Sequence, residues 1–146
     1  MLPKFTFCIT FSLISTLPIS SNAAEWVYVG SGGGGDLSVW VDKDSMRRSG
    51  SKVKTWSRWT YKKPKLLSES GPARYFQGMQ ALEVYLCDER SGTHLQVIKY
   101  ADTDFSDQVE ARTYPDDAKR YEDVVPDSLG EKLLKFACKV TEPTRQ

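Results

Sequence analysis

The sequence predicts an α+β domain: an antiparallel β-sheet from residue 25 to about residue 115, followed by one helix near residues 128–140 on one sheet face. Runs rich in aromatic and β-branched residues recur up to residue 115, which is typical of strands. A single stretch with helical periodicity follows them. At 146 residues the chain is long enough for one domain of this kind.

The N-terminal residues have the layout of a secretory signal peptide. Lys4 precedes an apolar stretch over residues 5–19, and the small residues Ser21 and Ala23 stand before the expected cleavage site. This apolar stretch, broken by serine, threonine and proline, is shorter than the roughly 20 residues of a membrane span. We therefore expect residues 1–23 to be a leader.

Cleavage after residue 23 leaves a mature domain of residues 24–146, with cleavage after Ala24 as the alternative. The cleavage site has no lipidation cysteine, because Cys8 lies inside the apolar stretch. We expect an exported protein, in the periplasm, at the cell surface or secreted, without a lipid anchor. The sequence predicts no transmembrane segment after leader removal.

The aromatic and β-branched runs indicate where the strands lie. A glycine-rich loop, residues 30–35, separates the first two runs, and residues 42–50 form a polar connection with room for one helical turn. Lys62, Lys63 and Pro64 are expected to close the third strand, and Gly78 is a candidate bulge in the fourth. The predicted strands are residues 25–29, 37–41, 53–61, 74–87, 93–100 and 109–114.

The helix begins with a capping box, in which Ser128 and Glu131 have the Ser-x-x-Glu spacing. Pro143 is expected to end the helix. Leu134 and Cys138 widen its apolar face on one flank. The residues expected to face the sheet are Leu129, Leu133, Phe136, Ala137 and Val140, and those expected on the solvated face are Glu131, Lys132, Lys135 and Lys139.

Leader removal leaves an even pair of cysteines, Cys87 and Cys138. In an oxidising compartment such a pair is most simply one disulfide, and two free thiols are the alternative. A bridge closing a loop of about 50 residues stabilises a fold by roughly 4 kcal/mol in the chain-entropy model.

Several function classes find no support in the sequence. The formal net charge of +1 argues against a nucleic-acid-binding protein. A single histidine, His94, has no second imidazole for a catalytic dyad. The Gly30-x-Gly32-x-x-Gly35 pattern precedes a strand rather than the helix that a dinucleotide site needs. Residues 102–107 lack the framework of a calcium loop and are expected to be a solvated loop. We expect no catalytic residue, no metal site and no cofactor.

Charge and aromatic residues cluster along the chain. Residues 43–65 contain nine basic residues and one acid, whereas residues 102–131 contain ten acids and three basic residues. Six aromatic residues lie in the first three predicted strands: Trp26, Tyr28, Trp40, Trp56, Trp59 and Tyr61. Trp56 and Trp59 are three residues apart, so they face opposite sides of a strand. The candidate binding residues are Arg47, Arg48, Lys52, Lys54, Arg58, Trp59, Lys62 and Lys63.

The basic segment has two interpretations. In one, the basic edge of one chain pairs head to tail with the acidic edge of another copy, or the basic face contacts a protein partner, a sulfated, anionic polysaccharide or anionic lipid. Alternatively, its lysines and arginines are solvated strand positions that guard sheet edges, or they meet acids within the fold.

Several features together resemble the surface-adhesin protein E family of small exported envelope proteins. These are the strand with Trp26, the segment VWVDKDSMRRSG, the run KVKTWSRW, Cys87, and a Pro-x-Ser leading into a helix with Cys138. The resemblance implies one antiparallel sheet of about six strands with the helix on one face, and a homodimer. The characterised adhesin of this family binds host extracellular proteins, but it is lipid-anchored, whereas this leader lacks the lipidation cysteine, and no family binding residue is placed on this sequence.

The sequence thus favours a non-enzymatic, exported binding protein of the bacterial envelope. The alternative is a periplasmic structural or stress-related protein that self-associates and has no host-binding role.

Overall fold

The computed structural model describes residues 24–68 and 72–140. The expected leader, residues 1–23, lies outside the described residues. All strands join one antiparallel sheet. The elements are β1 (Trp26–Gly32), β2 (Leu37–Asp42), β3 (Arg47–Ser49), β4 (Lys52–Ser68), β5 (Arg74–Leu86), β6 (Ser91–Tyr100), β7 (Gln108–Thr113), β8 (Glu122–Asp123) and α1 (Leu129–Val140).

Six strands form the body of the sheet in the order β1-β2-β4-β5-β6-β7. The expectation of about six strands is wrong, because the short β3 pairs with β4 and the short β8 pairs with β6, which gives an eight-stranded sheet. The sheet also extends past residue 115, where it was expected to end, because β8 lies at residues 122–123. The glycine-rich loop forms the predicted hairpin between β1 and β2, with a 3-10 turn at Gly33–Gly35.

The third predicted strand is longer than expected. β4 continues through Lys62, Lys63 and Pro64 to Ser68, because pairing with β5 resumes at Lys65 opposite Phe76. The extra residues of this irregularity lie on β4 between Thr60 and Lys65. The bulge is therefore on β4, and its predicted position at Gly78 on β5 is wrong.

Helix α1 packs on one face of the sheet, as predicted. Leu133, Leu134 and Ala137 are almost fully buried, and they form the core with Val39, Val41, Val53 and Tyr85. The capping box is half formed, since the Glu131 N–H donates to Ser128 Oγ at 3.2 Å. The expected position of Glu131 on the solvated face is wrong: its carboxylate accepts from the Asp127 N–H at 3.0 Å and pairs with Arg90, which draws it inward.

The predicted disulfide is confirmed. Cys87, directly after β5, is bonded to Cys138 near the end of α1, with 5.8 Å between their Cα atoms. The bridge therefore attaches the last turns of the helix to the end of β5, an inner strand of the sheet. None of the helices in the described part of the chain is both long and apolar enough to cross a membrane.

Candidate functional site

The two faces of the sheet have different coverings. Residues paired across strands share a face, so Val39, Val41 and their cross-strand partners face α1, and the alternate residues face away from it. We call the side in contact with α1 the helix face and the other side the open face. Among residues 24–68 and 72–140, the only α-helix is α1, and the open face has no helix on it.

One row of side chains crosses the whole open face. It includes Trp40 of β2, Arg58 of β4 and Gln80 of β5, which are directly opposite one another in the ladder. Tyr28 on β1 is 54% exposed and makes an edge-on contact with the Trp40 ring, with centroids 5.7 Å apart. The full row is Tyr28, Trp40, Arg58, Gln80, Ile98 and Ala111.

Arg58 lies between two aromatic rings. Its guanidinium carbon is 4.0 Å from the centroid of Trp26 and 4.5 Å from that of Phe105. Both distances are within the range of favourable cation–π contacts. Burial between the rings is the main cause that lowers the pKa of Arg58, with Tyr100 and Asp42 acting in the opposite direction. The side chain remains a cation, because arginine does not lose its proton in proteins.

A polar pair fixes one edge of this guanidinium. The Gln80 amide oxygen accepts from Nε and Nη2 of Arg58 at 2.9 and 3.1 Å, when the amide is oriented so that its nitrogen donates to the Tyr100 hydroxyl at 3.0 Å. Burial raises the pKa of Tyr100, so its hydroxyl is neutral at physiological pH. The Arg58 cation is thus held on both faces and at one edge.

The held guanidinium borders a cavity of about 230 Å³ on the open face. Three rings, those of Trp26, Trp40 and Phe105, form its apolar walls, and Arg58, Thr60 and Thr103 add polar groups. We call this the open-face pocket. An arginine between aromatic residues, flanked by hydroxyls, is suited to an acidic or amide group of a partner.

The loop after β6 brings Phe105 to this pocket. The Asp102 carboxylate accepts from the Ser106 N–H, the Ser106 hydroxyl and the Asp107 N–H at 3.1, 2.6 and 3.0 Å. These bonds, the Ser106 hydroxyl first, lower the pKa of Asp102. Residues 102–107 are thus the largely solvated loop that the sequence predicted, and Phe105 is its residue that contacts Arg58 and Tyr100 on the sheet.

Gly78 allows that loop to approach. A Cβ atom at residue 78 would lie 2.4 Å from the Asp102 carbonyl oxygen and 3.2 Å from the Phe105 ring. Phe105 itself has φ 61°, a left-handed conformation that is uncommon for a phenylalanine. The ring contacts Tyr100 edge-on at 5.5 Å as well as Arg58.

The candidate binding residues are distributed over separate places. Arg47 and Arg48 lie exposed on β3, where Arg47 Nη1 donates to the carbonyl oxygens of Asp44 and Met46 at 2.8 and 2.7 Å. Lys52 forms an ion pair with Asp116 at 2.5 Å, which joins the basic segment to the acidic one within the fold.

The remaining candidates divide between the two faces. Lys54 and Arg58 lie on the open face, whereas Trp59 lies on the helix face, where its indole donates to Ser57 Oγ at 2.8 Å. Lys62 and Lys63 are exposed in the irregular part of β4. Since a strand rises about 3.3 Å per residue, the eleven steps from Lys52 to Lys63 span up to about 36 Å. Of these candidates, only Arg58 borders the open-face pocket, and the basic segment forms no single surface.

Sequence reasoning missed Phe105 and Gln80 as parts of this site, and it noted Trp26 only among the aromatic residues of the first strands. A lone aromatic residue inside an acidic loop was the available signal for Phe105. The structure confirms that Trp56 and Trp59 face opposite sides of β4, since Trp56 is opposite Leu82 on the open face.

The described residues contain no cluster of three or more histidine, cysteine, aspartate and glutamate side chains that could hold a metal ion. His94 is half-exposed on β6 and lies near Glu83, 3.8 Å from its carboxylate. The site thus consists of aromatic rings, a cation, an amide and hydroxyls.

The fold and the site define a small disulfide-bonded α+β domain that carries its helix on one sheet face and an arginine–aromatic pocket on the other. The sequence profile described as Surface-adhesin protein E matches residues 26–139, almost the whole described part. The chain therefore belongs to the surface-adhesin protein E family, which confirms the resemblance seen in its sequence.

Solved structures agree with this assignment. Crystal form II of Haemophilus influenzae protein E is 13% identical, with a TM-score of 0.54, and the match covers 77% of this chain and 87% of that one. Protein E from non-typeable Haemophilus influenzae is 12% identical, with a TM-score of 0.53 and coverage of 85% and 82%. At this identity the likeness shows the fold. A search of curated protein sequences gave no significant match.

Proposed function

We propose that this protein is an exported, non-enzymatic binding protein of the bacterial envelope, and that its open face holds an acidic segment of a partner protein. The observation that carries this proposal is the Arg58 side chain, held between Trp26 and Phe105 beside a pocket. Membership of an adhesin family supports a partner outside the cell. The signal peptide and the absence of a lipid anchor remain part of the proposal.

The physical argument rests on preorganisation. Arginine and tryptophan are enriched among the residues that dominate binding energy, and their side chains lose entropy when a partner immobilises them. Here the guanidinium is already fixed by two rings and by Gln80, so less entropy is left to lose. Gln80 uses Nε and Nη2, and within residues 24–68 and 72–140 Nη1 has no hydrogen-bond acceptor, so it is available to an acceptor on the partner.

The test is a binding measurement with mature protein, residues 24–146, against a panel of extracellular-matrix proteins, with heparin as the anionic-polysaccharide arm. We expect Arg58→Gln to weaken partner binding by about tenfold or more, since it removes a fixed charge-assisted donor. Lys63→Gln is the matched control, because it makes the same charge change at an exposed residue away from the pocket. Binding that is equal in both variants would contradict the proposal.

Arg58→Lys separates charge from geometry. It keeps the cation and loses the planar group that stacks on Trp26 and Phe105. If only the net charge matters, as for a loosely bound polysaccharide, Arg58→Lys binds like wild type. If the held guanidinium recognises a protein partner, Arg58→Lys resembles Arg58→Gln.

The second candidate is a periplasmic structural or stress-related protein that self-associates. Exposed rings favour it, because a second copy on the open face would cover Tyr28 beside Trp40. Sedimentation equilibrium of wild type and Trp40→Ala tests the homodimer, and cell fractionation tests the location. A dimer lost in Trp40→Ala, together with strict periplasmic retention, would favour this candidate over adhesion.

A further inference from the structure

The helix face contains a second pocket, which the proposed function does not use. It is a cleft of about 240 Å³ between β6, β8 and the start of α1. Its lining is mostly apolar, and Glu83 and His94 also border it. The apolar lining comes from Trp59, Tyr85, Val124, Val125 and Leu133. We call it the Glu83 cleft.

Glu83 is a buried carboxylate, with only 2% of its surface exposed. Oε1 accepts from the Ser57 hydroxyl at 2.6 Å and from the Trp59 indole at 3.3 Å. Oε2 accepts from the Tyr85 hydroxyl. Burial and the neighbouring Glu83 raise the pKa of Tyr85 well above its ordinary value, so this hydroxyl keeps its proton. All three donors are therefore neutral.

The charge of Glu83 has no permanent cation beside it in residues 24–68 and 72–140. The one basic group within 4 Å is His94, whose Nε2 is 3.8 Å from Oε1 and whose side chain is 48% exposed. Two further acids, Glu122 and Asp123, line the cleft. Buried carboxylates are ordinarily paired with a cation, because an uncompensated buried charge is costly.

From this arrangement we infer that the Glu83 cleft binds a small organic cation of the alkylammonium type. The ammonium group is placed at the Glu83 carboxylate, and the aliphatic stem lies along the apolar wall beside Val125 and Leu133. The Trp59 and Tyr85 rings add surfaces that attract cations. The volume is below the roughly 300–1,000 Å³ of pockets for drug-sized ligands, so a short amine or one lysine side chain is the appropriate size.

This site differs from the open-face pocket in position and in charge preference. The open-face pocket presents a cation to an acidic partner, whereas the Glu83 cleft presents carboxylates to a basic one. If the proposed binding at one site is disproved, the argument for binding at the other site is unchanged.

The experiment is an NMR titration of the mature protein with n-butylammonium, followed at the Trp59 indole N–H. The matched probe n-butanol has the same stem without the charge. We expect a saturable shift with n-butylammonium and at least about tenfold weaker binding of n-butanol, because one charge-assisted bond is lost. Equal affinities, or no shift of the Trp59 signal, would overturn the inference.

Two variants identify the group that selects the charge. Glu83→Gln is expected to lose most of the preference for the ammonium, whereas a folded Glu83→Gln with the same preference as wild type would overturn the inference. His94→Gln keeps the hydrogen bonds that Ser57, Trp59 and Tyr85 donate to Glu83. It removes the imidazole that lies next to the Glu83 carboxylate. This variant therefore tests the inference if Glu83→Gln fails to fold. We expect His94→Gln to bind n-butylammonium at least as tightly as wild type, and lost binding would overturn the inference.

A further titration separates two sources of the ligand. Nα-acetyl-lysine methylamide carries the same ammonium group on a peptide-like backbone. If it binds as tightly as n-butylammonium, the cleft accepts a lysine of a protein partner. If it binds much more weakly while n-butylammonium binds, the cleft takes a free amine.

Discussion

β4 contributes to both faces of the sheet, and its two sets of side chains have different surroundings. On the helix face, Val53, Thr55 and Ser57 are at most 1% exposed. On the open face, the intervening Trp56 and Arg58 remain partly exposed. The same strand thus supplies core positions and candidate binding positions, with a period of two residues.

In a single sheet with one helix, one face can supply the core and the other can supply the binding surface. Antiparallel sheets commonly bury one face and leave the other in contact with solvent. Here α1 and the disulfide secure the buried face, so the open face is free to keep large rings accessible. Side-chain contacts within the open face, chiefly those of Phe105 and Gln80 with Arg58, hold that face instead.

The largest expected effect concerns the covering of the helix face. Replacing Cys87 and Cys138 together by alanine releases a cross-link between residues 51 apart in sequence. We expect a loss of about 4 kcal/mol in the free energy of unfolding, because the unfolded chain regains loop entropy. Urea denaturation under non-reducing conditions measures it.

If the open face is ordered by its own contacts, the folded fraction of this double variant still binds partners through Arg58. A loss below about 1 kcal/mol would mean that packing alone holds α1 on the sheet. A free-thiol assay on denatured wild-type protein is the control, and two titratable thiols would show that the bridge is absent.

A smaller effect is expected on the open face from Gly78→Ala. The new methyl group would meet the Asp102 carbonyl oxygen and move the loop that carries Phe105. We expect a cost of about 2 kcal/mol, as for other overpacked sites, together with weaker partner binding. The free energy of unfolding and the affinity for the partner are measured on the same preparation.

Gly32→Ala is the matched control for this change. A Cβ atom there has ordinary contacts, 3.6 Å from Leu129 and 3.9 Å from Leu37. It should leave stability and binding close to those of wild type. A Gly78→Ala variant that behaves like Gly32→Ala would show that Phe105 does not depend on this close approach.

The smallest expected effect is the pH dependence from Glu131 at the start of α1. The Asp127 N–H, followed by Lys135 and Arg90, lowers the pKa of Glu131 below its ordinary 4.5. A lowered pKa in the folded state stabilises the fold above pH 4.5, and this contribution is lost as the pH falls through the folded-state value.

Glu131→Gln removes this dependence, so the stabilities of wild type and variant should converge as the pH falls below 4.5. Thermal unfolding at several pH values checks it. A difference that stays constant with pH would show that the charge of Glu131 contributes nothing. Because α1 covers only the helix face, partner binding by Arg58 should be unaffected in Glu131→Gln.

Local periodicity accounts for the parts of the fold that the sequence predicts. The alternating runs give the long strands, the apolar spacing gives α1, and the cysteine count gives the disulfide. β3 and β8, of three and two residues, are too short to carry a pattern. The extension of β4 past Pro64 depends on pairing with distant Phe76, which no local signal records.

The candidate site was predicted only in part for a similar reason. Arg58 was identified from charge and from its neighbouring tryptophans. Its partners Phe105 and Gln80 are far away in sequence, and a loop crossing over Gly78 brings Phe105 to it. The burial of Glu83 was equally hidden, because its donors Ser57 and Trp59 come from another strand.

The four tryptophans provide the most direct test of the difference between the faces, because three lie on the open face and one on the helix face. The measurement is oxidative footprinting of each indole, with and without a bound partner protein, read by mass spectrometry. We predict that Trp26, Trp40 and Trp56 become protected while Trp59 is unchanged. Protection of Trp59 alone would place the binding surface on the helix face and contradict the account.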